Sequence, residues 1–279
     1  MGKSENISVF RDTSQMCKTE PRLRAAIKES NAGQEMIPGG SDFELTVQPR
    51  SVSAQVVVSR KRTLEAAESY ARSGERVCVL NFASASNPGG GVVNGSSAQE
   101  EAICRCSTLY SSLIQPELWE SFYGPHRETN DPLHNDDCIY TPGVVVFKTD
   151  VDIPRAMPQE SWYSVDVLTC AAPNLREVPS NQMNYDGDTP AVISREGLQA
   201  LHERRLRRIL SIAAEKGGDS VILGAFGCGA FRNPPDVVAA AAQRVIGEFS
   251  RYFSTIEFAV YCSPRDDANF RVFEKAFRH

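Results

Sequence analysis

Two glycine-rich turns carry the residue types best suited to chemistry, each lying between an apolar run and a helical pattern. The first follows residues 77–82, an apolar run about the length of a buried strand. It leads to Gly89-Gly90-Gly91, three residues that allow positive φ and let a ligand come close to bare backbone. After seven further residues stands Gln99-Glu100-Glu101, and from there Ile103, Cys106, Leu109 or Tyr110, and Leu113 recur at helical spacing. The two carboxylates therefore fall in the first turn of a helix, where the dipole favours acidic residues even without a function. A glycine cluster alone is weak evidence, and so is an acidic helix start. The informative observation is their order: strand, glycine turn, acidic helix start.

The second turn follows another apolar run, residues 219–226, and reads Gly227-Cys228-Gly229-Ala230-Phe231-Arg232-Asn233-Pro234. Asn233 is a natural N-cap and Pro234 a natural first residue for a helix that continues through the alanine-rich stretch beyond. A glycine turn between strand and helix aims backbone N–H groups at one spot and makes an anion cradle. It is not a Walker A loop, because no Gly-Lys-Ser/Thr follows, and Arg232 stands where a dinucleotide fingerprint needs its last glycine. Cys228 has no identifiable base beside it and reads as a small packing residue rather than a nucleophile.

The rest of the chain supplies the elements that must position these turns. Residues 8–31 predict two short helices, with Pro21 opening the second and Asn31-Ala32-Gly33 ending it. Residues 37–42 read as loop, residues 44–50 and 54–58 as strands, and Thr63 as the cap of a helix closed by Gly74. Residues 115–142 lack a period and predict a long irregular binding loop, in which His126, His134, Asp136 and Asp137 fit no metal-ligand spacing and read as solvated. Residues 144–147 and 165–170 look like strands covered on both faces. The second ends in Ala171-Ala172-Pro173-Asn174, at a strand's carboxyl end, where ligands of α/β sheets gather. Residues 190–216 form a long helix whose Arg204, Arg205, Arg207 and Arg208 read as a solvated face, and residues 256–262 form a last strand. Strands alternating with helices predict a three-layer α/β/α domain.

Composition narrows the function. Lys and Arg total 30 against 35 Asp and Glu, so no general basic field exists for nucleic-acid phosphates, which argues against a duplex-binding protein. The eight cysteines are scattered, with no C-x-x-C pair and no His at zinc-ligand spacing, and read as reduced, mostly buried thiols. With no signal core and no run of 18 apolar residues, the expected location is the cytoplasm, away from membranes. Residues 1–50 read as an extension packed on a catalytic domain of residues 51–279.

The order Gly89-Gly90-Gly91, seven residues, Gln99-Glu100-Glu101 resembles the signature of poly(ADP-ribose) glycohydrolases of the bacterial and fungal type, which are macrodomains. The run Gly224-Ala225-Phe226-Gly227-Cys228-Gly229-Ala230-Phe231 is similar to the macrodomain loop that wraps the diphosphate of ADP-ribose. The likeness extends over nearly the whole chain from about residue 8. It implies a three-layer α/β/α macrodomain with a mixed central sheet and an N-terminal helical extension. It also implies a monomeric hydrolase, needing no cofactor or metal, that cleaves ribose-ribose O-glycosidic bonds of poly(ADP-ribose) on ADP-ribosylated protein and releases ADP-ribose.

The same resemblance assigns roles. Glu101 would protonate the leaving oxygen and then act as base for water, and Glu100 would hold the terminal ribose hydroxyls and orient that sugar. Asn87, Gly89, Gly90 and Gly91 would contact the ribose, with Gln99 in support. The loop from Gly224 to Phe231 would bind phosphates, with Phe231 pressing on the ribose and excluding water. Asn174 is a further binding candidate, and the adenine site is unspecified. The helix dipole favours an ionised Glu101, but burial beside Glu100 under a bound ribose is expected to prevail. Two alternatives stay open. One is an ADP-ribose-binding macrodomain that does not cut, for which the acidic pair has no use. The other is a hydrolase that removes single ADP-ribose units from side chains or nucleobases.

Overall fold

In a computed structural model, residues 2–40, 45–182, 184–263 and 266–278 are described. The chain runs through α1 (Lys3–Thr19), α2 (Pro21–Ala32), β1 (Glu35–Ile37), β2 (Gln55–Ser59), α3 (Thr63–Arg72), β3 (Val77–Ala83), α4 (Gln99–Cys106) and α5 (Leu109–Leu113). It continues through α6 (Pro116–Leu118), a π-helical turn (Trp119–Tyr123), α7 (Gly124–Thr129), β4 (Cys138–Val146), β5 (Tyr163–Ala171), α8 (Arg195–Glu215), β6 (Ser220–Leu223), α9 (Pro235–Phe249), β7 (Thr255–Ala259) and α10 (Ala268–Phe277). The seven strands form one mixed sheet in the order β1-β4-β5-β3-β6-β7-β2. Strands β5, β3, β6, β7 and β2 pair in parallel, and β4 and β1 are antiparallel at one edge.

The layers follow from alternation along β3. Successive strand side chains point to opposite faces. Val77 and Val79 pack with Leu64, Ile103 and Leu109 of α3, α4 and α5, whereas Cys78 and Leu80 pack with Ile209, Val245 and Phe273 of α8, α9 and α10. A sheet apolar on both faces needs helices on both, and this gives the α/β/α architecture expected from the sequence. The N-terminal helices join the same structure: Phe10 lies in the α4 cluster, Thr13 Oγ1 donates to Arg105 O at 2.5 Å, and β1 adds to the sheet. Among the described residues no helix is long and apolar enough to cross a membrane.

Several local expectations are corrected. Residues 45–50 are not a strand, because the carboxylate of Glu215, rather than a neighbouring strand, takes the N–H groups of Thr46 and Val47; residue 44 and residues 41–42 lie outside the described residues. Ile37 belongs to β1 rather than to a loop. Residues 115–142 are irregular only over residues 130–137, since residues 116–129 are helical and β4 begins at Cys138. Pro116, Gly124 and Pro125 break the stretch into pieces too short to show a period, yet Leu118, Phe122 and His126, four apart, are all buried.

Arg205 and Arg208 are buried rather than solvated. Arg205 donates from Nε to Asp136 Oδ1 at 2.8 Å and from Nη1 to Ala171 O at 2.7 Å, which also buries Asp136 and His134. Burial would raise the Asp136 carboxyl, but Arg204 and Arg205 hold it below its usual value. The helix over residues 63–72 starts at Thr63 itself, with Arg62 at the cap position. Helix α9 starts at Pro235 after Pro234. Asn233 instead spans two loops, donating to Pro173 O at 2.7 Å and sharing a 2.8 Å hydrogen bond with His202 Nε2.

Candidate active site

Helix α4 begins on the residues that the sequence singled out, and Gln99 fixes where it begins. Its Oε1 accepts from Phe82 N at 2.9 Å, while Nε2 donates to Leu80 O at 2.7 Å and Thr63 Oγ1 at 3.0 Å. The side chain splices the helix start to β3 and α3, which is support for the site in the literal sense. Glu100 and Glu101 follow, 3 % and 7 % exposed. Glu100 accepts from Ser84 N at 2.8 Å and from Asn81 Nδ2 at 3.2 Å. Burial first, and the charge of Glu101 second, push its carboxyl up to about 8, against the lowering effect of those donors. Glu101 Oε1 accepts from Gly91 N at 2.9 Å, and its Oε2 is buried with no partner among the described residues.

The glycine turn is shaped by what it must clear. Gly90 has φ +57°, and a Cβ there would stand 2.7 Å from Glu101 Oε1 and 3.0 Å from Glu100 Oε2. Gly89 likewise has positive φ and lies against Tyr110. Asn87 holds the turn: its carbonyl accepts from Gly90 N at 2.9 Å, and its Oδ1 accepts from Arg127.

A cavity of about 840 Å³ opens over the carboxylates. Ser84, Gly90, Gly91, Glu100 and Glu101 border one end, and Arg62, Tyr261 and Asn269 another. Between them runs the turn after β6. There Cys228 N bonds to Ala225 O at 3.0 Å and Phe226 N to Gly224 O at 2.9 Å, while the amides of Ala225, Gly227, Gly229, Ala230 and Phe231 take no acceptor among the described residues. Those five residues border the cavity. Gly224 and Phe226 face the apolar gap beneath the turn, beside His202 and Phe258. The Cys228 thiol is pushed up to about 12, chiefly by burial. Phe231 is half-buried at the cavity wall, 6.0 Å from the ring of His134.

Asn174 is fully buried rather than at the cavity: its Nδ2 donates to Asp186 Oδ2 at 2.7 Å and to Pro179 O at 3.1 Å. It organises a strap, residues 174–182 and 184–187, that crosses to the first turn through Ser84 Oγ to Asn184 Oδ1 at 2.5 Å and Tyr185 N to Ser86 Oγ at 2.7 Å. Arg176 and Asn184 of this strap border the cavity, as does Asp150, a carboxyl that burial raises to about 6. The sequence reading missed all three, and also Asn81. Only Asn81 left a signal, as the one amide inside an apolar strand.

Buried paired carboxylates thus lie under a glycine turn, beside a row of backbone amides at the carboxyl ends of parallel strands. The model of the microbial-type PARG catalytic domain, PARG being poly(ADP-ribose) glycohydrolase, matches residues 4–149, and the chain belongs to this family. Among solved structures it is similar to the poly(ADP-ribose) glycohydrolase of Thermomonospora curvata, at 28% identity over 98% of this chain and 99% of that one, with a TM-score of 0.83. The same enzyme bound to the inhibitor ADP-HPD gives 28% identity over 98% and 99% and a TM-score of 0.81. The Deinococcus radiodurans enzyme in complex with ADP-ribose gives 30% identity over 90% and 96% and a TM-score of 0.75. A comparison with curated proteins gives no match.

Proposed function

We propose that this protein is a macrodomain-type poly(ADP-ribose) glycohydrolase in which Glu101 is the acid/base. The observation that carries the assignment is the asymmetry of that carboxyl at the cavity, one oxygen held by Gly91 N and the other buried and unpartnered among the described residues. Glu101 donates its proton to the oxygen bridging two riboses, and the bond from that oxygen to the terminal ribose C1 breaks through an oxocarbenium-like state. Water then adds to C1 and returns a proton to Glu101, freeing ADP-ribose. Glu100, steadied by Asn81 and Ser84, holds the ribose hydroxyls, and Gly89 to Gly91 let the sugar reach both carboxylates. The free amides from Ala225 to Phe231 bind the diphosphate, Phe231 covers the ribose, and Tyr261 under the guanidinium of Arg62, 3.9 Å from its ring centroid, receives the adenine.

Asn87, Gln99 and Asn174 serve by holding the loops that make these contacts. Residues 1–50 act as an extension that braces α4, through Asn6 to Gly95 O and Thr13 to Arg105 O. The cysteines, all free thiols, support a cytoplasmic enzyme, and we take it to act as a monomer.

The test is release of free ADP-ribose from protein-attached polymer by the wild type and by Glu101→Gln, with ADP-ribose binding followed by calorimetry. The variant should bind comparably and release monomer roughly 10²–10⁴-fold more slowly. Binding by the wild type without release would make the protein a reader.

A further inference from the structure

One exposed cluster near the catalytic turn has no part in that scheme. The guanidinium of Arg127 lies 4.9 Å from the ring of Trp119 and 5.9 Å from the ring of Tyr185. Both aromatic side chains are open to solvent, 44 % and 53 % exposed. The group is anchored to the catalytic turn at three points: Arg127 Nε donates to Ser86 O at 2.8 Å, Arg127 Nη2 donates to Asn87 Oδ1, and Tyr185 N donates to Ser86 Oγ at 2.7 Å. Trp119 opens a π-helical turn, a local distortion frequently found at functional sites. Asn87 is four residues from Gly91, so this anchor lies within about 14 Å of the amide that holds Glu101.

We propose that Trp119, Arg127 and Tyr185 form a stacking subsite for the adenine of the polymer unit on the leaving side of the scissile bond. The proposal rests on the glycohydrolase reading above. The sheet order supplies the direction. The anion cradle follows β6 and Tyr261 follows β7, both on one side of β3, whereas the strap bearing Tyr185 follows β5, on the other. A ribose carries its diphosphate on C5 and its glycosidic bond on C1, at opposite ends of the ring. With the phosphates over β6, the leaving ribose departs toward β5, and that ribose bears an adenine. Aromatic rings and an arginine plane on the path of a departing purine make the kind of platform on which bases stack in single-stranded nucleic-acid recognition.

The test compares Trp119→Ala and Tyr185→Ala with the wild type on two substrates: poly(ADP-ribose), and a synthetic ADP-ribosyl aryl glycoside whose leaving group has no adenine. The ratio of kcat/KM for polymer over aryl glycoside should fall about 5-fold to 100-fold in each variant, and Trp119→Phe should restore most of it. An unchanged ratio, or equal losses on both substrates, overturns the subsite. Trp119 and Trp162 are the only tryptophans. In a Glu101→Gln, Trp162→Phe protein, polymer should therefore quench the remaining emission and free ADP-ribose should not. Equal quenching by the two would place Trp119 at the released unit and overturn the proposal as well. Failure of the wild type to cleave either substrate would sink the glycohydrolase reading itself, a separate outcome.

Discussion

Gly91 gives its backbone N–H to Glu101 Oε1 at 2.9 Å, while Oε2 of the same carboxyl is buried and unpartnered among the described residues. A carboxyl oriented by backbone cannot drift with a rotamer. The free oxygen is therefore preorganised by the glycine turn.

Gly90→Ala tests that coupling. The substitution puts a Cβ at φ +57° and 2.7 Å from Glu101 Oε1, and Glu100 cannot yield because Ser84 and Asn81 hold it. Backbone strain alone should cost about 1–3 kcal/mol in thermal or denaturant unfolding. Polymer hydrolysis should fall by about 10²-fold, as expected for a misplaced catalytic group. A variant with wild-type kcat would show that the turn does not position the acid.

Glu100 sets a pH dependence of stability. Its carboxyl is raised in the fold from 4.5 to about 8, so its contribution is fully present below pH 4.5 and is lost as pH rises through 8. Glu100→Gln removes the titration. Its melting temperature relative to wild type should be level near pH 4.5, climb to a gain of about 5 °C by pH 8, and stay flat above. A difference that does not change with pH would mean that Glu100 ionises normally.

The two glycines of the second turn should behave differently. Gly227 has φ +79°, and a Cβ there meets Asn233 Nδ2 at 2.6 Å and Ala172 Cβ at 2.7 Å, whereas a Cβ on Gly229 meets open space. Gly227→Ala should weaken ADP-ribose binding by about tenfold or more, the loss of one charge-assisted amide contact. Gly229→Ala should lose far less. Calorimetric titration of both variants measures the contrast, and equal losses would contradict it.

Arginines on one helix should differ by burial. Arg205→Met leaves buried Asp136 with Arg204 alone and removes the donor to Ala171 O, and should cost about 3 kcal/mol in a denaturant melt. Arg207, whose partner Glu248 is solvent-exposed, should cost about 0–1 kcal/mol when changed to Met. Similar losses at the two positions would refute the distinction.

That pair also marks the limit of what the chain reveals unfolded. Four arginines over residues 204–208 look alike in sequence; Arg205 differs because Asp136 and Ala171, distant in the chain, converge on it. Asn184 and Arg176 escaped for the same reason, since a polar loop has no period and Ser84, the partner of Asn184, lies 100 residues away. The alternating sheet, the helix start at Gln99 and both glycine turns were legible because each depends on neighbours in sequence. Asn233 was misread because a good capping residue found stronger partners in Pro173 and His202.

The span of two hydrogen bonds separates the site into parts with different lifetimes. Gly91 and Glu101 are joined across 10 residues, Ser84 and Asn184 across 100. Closing the larger loop costs about 2 kcal/mol more in chain entropy, so the strap is the later part to close and the earlier to open. Amide exchange should accordingly be faster over residues 184–187 than over residues 99–106. The carboxylate pair is thus held by a closure local in the chain, and the wall beside it by one that spans a third of the chain.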